Sequence, residues 1–179
     1  MKKEISLESY YHLINHGPCV LVTSGHGEKK NVAPIAWLTP VNDEPPLIGI
    51  AIAEGHYTAE LVKETGEMVI NIPDKSLLSS LKMCGKVSGR KENKFEKACF
   101  TEKAGIKVKV PHIDECPAFL ECRVKDELSY DGVILFIVEV LYAAAEEELY
   151  DDYWITDKAQ TVHHMGGSYF AVTGNRFKV

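Results

Sequence analysis

Apolar positions along this chain recur at two periods, one helical and one of alternating strands. Leu7, Tyr10, Tyr11 and Ile14 share a face of a helix that Ser6 caps and Gly17 ends. Pro18 opens a strand over 19–24, Gly25-His26-Gly27-Glu28 turns the chain, and Asn31–Thr39 reads as the next strand. Asn42-Asp43-Glu44-Pro45-Pro46 is a second turn. Strand 47–53 that follows is so apolar that both of its faces should be buried. Thr58–Thr65 reads as a short helix stopped by Gly66, and Glu67–Ile72 as a strand. Asp74 caps a helix with Leu77, Leu78, Leu81 and Cys84 at helical spacing, ended by Gly85. Asn93 with Glu96 forms a capping box for a further short helix. Residues 106–110 alternate as a strand. Ala118–Leu128 and Val133–Ala143 are the longest strand candidates, joined through Ser129-Tyr130-Asp131-Gly132, whose Asp-Gly pair signals a hairpin.

Strands outnumber helices and no β-α-β alternation is sustained. The pattern therefore predicts an antiparallel barrel, mainly β with peripheral α, rather than a doubly wound sheet. A length of 179 residues, 45% of them hydrophobic, suits a single domain over 1–179 with a sizeable core. No apolar run approaches a membrane helix, and Met1-Lys2-Lys3-Glu4 leads into no apolar signal region, which places the expected location in the cytoplasm. A net charge of -6 disfavours nucleic acid and acidic membranes, yet leaves room for a small anion held by a local basic cluster. The five cysteines Cys19, Cys84, Cys99, Cys116 and Cys122 form no C-x-x-C and read as mostly buried small hydrophobes, with Cys84 nearest to any ligand. Glu146–Asp152 reads as a solvated acidic loop.

The chain shows no G-x-S-x-G, no H-E-x-x-H and no phosphate loop. His163-His164 are adjacent, so on a strand they point to opposite faces and no metal site is expected. Asn31–Val41, reading N-V-A-P-I-A-W-L-T-P-V, carries the most chemistry. It offers amides, a hydroxyl and the aromatic face of Trp37 from a rigid barrel, the groups a flat, polar, conjugated ligand needs. Thr58 at a helix start offers an Oγ and free N–H groups to an anion. Ser88, Gly89, Arg90 and Lys94 form a second polar and basic cluster. Gly25-x-Gly27 lacks a third glycine and opens no helix, so no dinucleotide fold is indicated.

The motif N-x-A-P-x-x-W-x-T-P followed by Pro45-Pro46 resembles the start of the flavin reductase-like FMN-binding split barrels, in particular the flavoredoxin branch. Thr58, the run Val87-Ser88-Gly89-Arg90 with Lys94-Phe95, and His163-His164-Met165-Gly166-Gly167-Ser168-Tyr169 follow in the family's order. The resemblance implies a Greek-key split β-barrel and a homodimer with FMN in a groove formed by both subunits. It implies that Asn31, Ala33, Thr39 and Pro40 line the ring or ribityl chain, with Trp37 as a wall. It puts Thr58 and the Ser88-Gly89-Arg90 and Lys94 cluster at the phosphate. His56 stands where the family commonly has an Arg. His164, as the candidate catalytic residue, and Tyr169 fall on the nicotinamide or partner side. The implied activity is electron transfer from NAD(P)H, or from a reduced protein partner, through FMN to a flavin or another acceptor. A flavoredoxin-like carrier that does not use NAD(P)H and a non-catalytic flavin-binding module are the alternatives.

Overall fold

The computed structural model describes residues 2–178, so Met1 and Val179 lie outside the described residues. Its strands are β1 (Val20–His26), β2 (Lys29–Ile35), β3 (Leu38–Asn42), β4 (Leu47–Ala53), β5 (Glu67–Ile72), β6 (Glu102–Lys103), β7 (His112–Ile113), β8 (Ala118–Tyr130), β9 (Val133–Ala145), β10 (Val162–Gly166) and β11 (Tyr169–Val172). The helices are α1 (Tyr57–Thr65), α2 (Leu78–Lys86) and α3 (Lys94–Ala98), with short 3-10 segments at Leu7–Leu13 and Lys75–Leu77. Seven strands form one sheet in the order β2-β1-β5-β8-β9-β4-β3. All its pairings are antiparallel. Its two edges, β2 and β3, are consecutive in the chain but not paired with each other, which leaves the barrel open along a seam. This is the mainly β antiparallel barrel with peripheral helices that the pattern predicts, split as the resemblance implies.

Alternate residues of the strands point into one core. Val20 and Val22 of β1, Ile50 and Ile52 of β4, Met68 and Ile70 of β5, and Ile134, Phe136 and Val138 of β9 are buried together. A second cluster forms where α2 and α3 cover the outer faces of β1 and β2, through Leu21, Val32, Leu81, Cys84 and Phe95. The β8–β9 hairpin turns at Asp131-Gly132, both at positive φ (42° and 91°), as a two-residue turn matched to strand twist requires.

Several expected elements come out differently. The strand expected over Asn31–Thr39 is two strands, β2 and β3. Ile35 still pairs with Val20, whereas Leu38 pairs with Ile50, so the chain changes neighbours at Ala36-Trp37. Pro40 is tolerated because β3 is an edge strand, with an irregular register just beyond it. The first helix is 3-10 and spans Leu7–Leu13. Ser6 caps it as expected, but Ile14 rather than Gly17 closes it and none of its residues is buried. Gly85 does not end α2. It sits within the helix, packed close to Pro34, and Val87 leaves the helix in an extended conformation. Residues 106–110 form no strand, because the Glu121 carboxylate accepts hydrogen bonds from the amides of Ile106, Lys107 and Val108. Within β4 Gly49, Ile50 and Ile52 are buried, but Ile48 is only partly so, and Ala51 and Ala53 are half-buried and open onto a cleft. No helix among the described residues is long and apolar enough to cross a membrane.

Candidate functional site

The cleft lies where the sheet fails to close. One chamber, of about 500 Å³, runs between β2, the start of β3, β4, α2 and the β10–β11 turn; Trp37, Ala51, Leu81, His164 and Phe170 are among its walls. A second chamber, of about 370 Å³, lies between β2, the start of α1 and the segment from Cys84 to Lys94. Pro34, His56, Gly85 and Lys86 line both, so the two form one continuous cleft with an apolar half and a polar half.

The polar half is built from buried groups. Asn31 is carried by β2 and Thr58 by α1, and the Asn31 Nδ2 donates to Thr58 Oγ1 over 2.9 Å. Thr58 is not the helix cap: His56 is, without a side-chain cap bond, and α1 starts at Tyr57. The Thr58 hydroxyl therefore keeps its proton for a ligand. Asn31 Oδ1 is buried and has no hydrogen-bond partner, which calls for a donor from outside the chain. A Cβ at Gly89 would collide with that oxygen, so glycine is needed to keep this corner open.

Lys94 opens α3, where Asn93 caps the helix as expected. It is buried and not on a solvated face. Its Nζ donates to the carbonyls of Val32 (2.8 Å) and Cys84 (2.7 Å). An ammonium has three N–H groups, so one remains for the chamber that Lys94 lines. Burial lowers the Lys94 pKa, a shift that the nearby Cys84 opposes. Burial also pushes the Cys84 thiol up to about 11, although Lys94 acts against it. Arg90 has a different setting. Its guanidinium reaches Glu60 at 2.6 Å and the Gly55 carbonyl at 3.3 Å, over the Tyr57 ring, and it is exposed. Ser88 is exposed and accepts from the Arg90 amide at 3.4 Å.

The apolar half is more open. Trp37 is 47% exposed and meets Tyr11 edge-to-face at 5.7 Å. On its other side lies a further cavity of about 460 Å³, which Thr39 lines. His164 faces the apolar chamber, and its Nε2 must donate to the Gly167 carbonyl (3.1 Å), so the neutral ring keeps Nδ1 as an acceptor. His163 is turned away: its Nδ1 donates to the carbonyls of His16 and Gly17. Adjacent residues on β10 do point to opposite faces.

The structure thus brings Asn31, Ala33, His56, Thr58, Ser88, Gly89, Arg90 and Lys94 around the polar chamber, and Trp37 and His164 around the apolar one. It does not bring in Pro40 or Tyr169. Pro40 points from the edge strand to solvent, and Tyr169 is 79% exposed at the β10–β11 turn. Thr39 lies beyond Trp37, not in the main cleft. Sequence reading missed Lys82 and Lys86, which line the cleft from α2. Ending that helix at Gly85 hid the turn that presents them together.

A buried unpartnered acceptor, a hydroxyl with a free proton, a buried ammonium with no carboxylate partner among the described residues and an adjoining apolar chamber match a phosphorylated, hydroxylated aromatic ligand. Known proteins agree with that chemistry. The family model described as "Flavin reductase like domain" matches residues 13–168. A flavoredoxin from Methanosarcina acetivorans is 26% identical, with a TM-score of 0.87 over 100% of this chain and 95% of that one. An FMN-binding domain of a flavin reductases-like enzyme from Shewanella baltica is 28% identical, with a TM-score of 0.83 over 98% of this chain and 95% of that one. An uncharacterized protein of Archaeoglobus fulgidus is 44% identical over 122 residues, 68% of each chain.

Proposed function

This chain belongs to the flavin reductase-like family, and from that premise we propose that it is an FMN-dependent oxidoreductase that accepts electrons from NAD(P)H and passes them to a flavin or another acceptor. The polar chamber carries this reading. Its three buried polar residues, Asn31, Thr58 and Lys94, converge on one space without an internal anion. Lys94 and Thr58 would hold the phosphate, with Lys94 supplying charge and Thr58 a hydroxyl proton. Asn31 Oδ1 would accept from a ribityl hydroxyl. Trp37 and Ala51 would flank the ring, and the half-exposed indole would shield one side from water. When bound, FMN supplies the hydride and electron chemistry; the protein supplies position and electrostatics. His164, fixed by its Gly167 bond, would present Nδ1 as an acceptor beside the reacting face. Any nicotinamide would have to stack directly against the ring, because the sequence carries no G-x-G-x-x-G dinucleotide motif.

A homodimer is part of the same reading. Tyr10, Leu13, Ile14, Trp37 and Val41 expose apolar surface along the first 3-10 segment and the free edge β3, and a second copy would cover this band next to the cleft. Five free thiols suit a reducing compartment such as the cytoplasm.

The test is optical. Protein titrated with FMN and with riboflavin should bind FMN more tightly, with perturbed flavin bands. Anaerobic NADH or NADPH should then bleach the bound flavin. Bleaching by dithionite alone would move the assignment to an electron carrier, and equal affinity for riboflavin would remove the polar chamber as a phosphate site.

A further inference from the structure

The walls of the cleft carry Lys82, Lys86, Arg90 and Lys94 and not one Asp or Glu. The whole chain has 26 acidic and 20 basic residues, so this lining runs against the composition. Two of the four cations are already engaged. Arg90 is paired with Glu60 at 2.6 Å, and Lys94 is buried against two carbonyls at the phosphate end. Lys82 and Lys86 remain. Both are exposed, and among the described residues neither has a carboxylate within ion-pair distance. They sit one turn apart on α2, a spacing at which like charges repel.

Their position decides what they can serve. Lys82 lines the apolar chamber and not the polar one, whereas Lys86 stands at the junction. With a flavin phosphate in the polar chamber, the charge of Lys82 falls beside the ring, where a second reactant must approach. Low-dielectric walls from Leu81, Ile52 and Trp37 focus that charge into the chamber. We propose that Lys82 and Lys86 select the second reactant of this cleft by reading its carboxylate or phosphate. The proposal rests on the flavin reading above and names the residues that discriminate among partners at that site. It requires no new covalent step: the lysines are specificity-determining residues that favour an anionic partner over its neutral analogue.

The experiment compares matched pairs on the FMN-loaded, oxidised protein, with flavin absorbance as the readout. The pairs are NADP+ against NAD+, and benzoate against benzamide. In at least one pair the more anionic member should bind tenfold or more tightly, with the preference shrinking as salt rises. A preference within the nucleotide pair identifies phosphate as the source of charge; one within the benzoate pair identifies carboxylate. In K82Q/K86Q the ratio should fall to within about twofold, while K107Q/K109Q, which loses the same charge at exposed sites that line neither chamber, keeps it. Equal binding within both pairs in the wild type overturns the proposal. So does a preference that survives in K82Q/K86Q, or one that K107Q/K109Q loses equally. The same titrations on flavin-free protein, followed by tryptophan fluorescence, judge the lysines independently. A protein that binds no FMN sinks the flavin reading; anion preference in the fluorescence arm then still decides the role of Lys82 and Lys86.

Discussion

The two halves of the cleft are built on opposite plans. In the polar half, Asn31, Thr58 and Lys94 are all buried, and each is fixed by neighbours before any ligand arrives. In the apolar half, the Trp37 ring makes an edge contact with Tyr11 and remains half-exposed. Preorganised groups give up little freedom on binding, so the polar half should set affinity. The open half has room for a second molecule and should set what reacts. Differential loss of affinity across the cleft tests this division.

Lys94→Met should have the largest effect. It leaves the Val32 and Cys84 carbonyls without their donor and removes the chamber's internal cation. We expect a stability loss of about 2 kcal/mol by chemical denaturation, and a further loss of about 1.5–3 kcal/mol in FMN affinity that riboflavin does not share. A variant as stable as the wild type would mean that the buried ammonium is not a clamp.

The titration of Lys94 gives the next effect. Burial places its folded pKa below the ordinary value near 10.5. Between the two values the unfolded chain holds more protons, so this group's contribution to the stability of the flavin-free protein rises with pH in that window. FMN affinity should move the other way, falling as Lys94 loses its charge, while riboflavin affinity stays flat. Parallel pH profiles for the two ligands would remove the charge from the site.

Thr58→Val deletes one hydroxyl and leaves Asn31 Nδ2 without an acceptor. FMN affinity should fall about tenfold, roughly 1.4 kcal/mol, with a smaller fall for riboflavin. Equal losses would place the hydroxyl away from the phosphate. Trp37→Ala should cost about 1 kcal/mol of affinity for both flavins, with little change in stability, because the indole is half-exposed. A loss confined to FMN would break the division between the halves. Arg90→Gln should matter least. Its guanidinium is exposed and shared with Glu60, so the change should be about 0.5 kcal/mol or less in affinity. A larger loss would show that Arg90 leaves Glu60 when the phosphate binds.

The polar half was the more legible in the sequence, for a physical reason. Thr58, Ser88, Gly89 and Lys94 occur at helix starts and turns, where local chemistry is distinctive. Their convergence with Asn31 follows from strand order. Their exact settings were not legible: the burial of Lys94 arises only when α3 packs against β2, and the capping of α1 by His56 rather than Thr58 only when the helix starts at Tyr57. The apolar half was harder. Nothing local marks the break at Ala36-Trp37, since both sides alternate as strand. The break comes from a change of partner, from β1 to β4, that only the assembled sheet imposes. Thr39 and Pro40 fall beyond this break and outside the main cleft of one chain, whereas Tyr169 is exposed at the β10–β11 turn. The strand expected over 106–110 failed similarly, because a distant carboxylate, Glu121, captures its amides.

The unpaired edges β2 and β3 have a consequence for time as well as for place. No ladder bond joins them, and beside the seam the Trp37 carbonyl takes a single bond from the Ala51 amide. The wall beside the ring can therefore swing without breaking the β1-β5-β8-β9 pairing that holds the barrel. Ligand exchange and global unfolding then become separate kinetic events. Amide hydrogen exchange should show this as rapid exchange around Ala36–Leu38 beside slow exchange in β5 and β9.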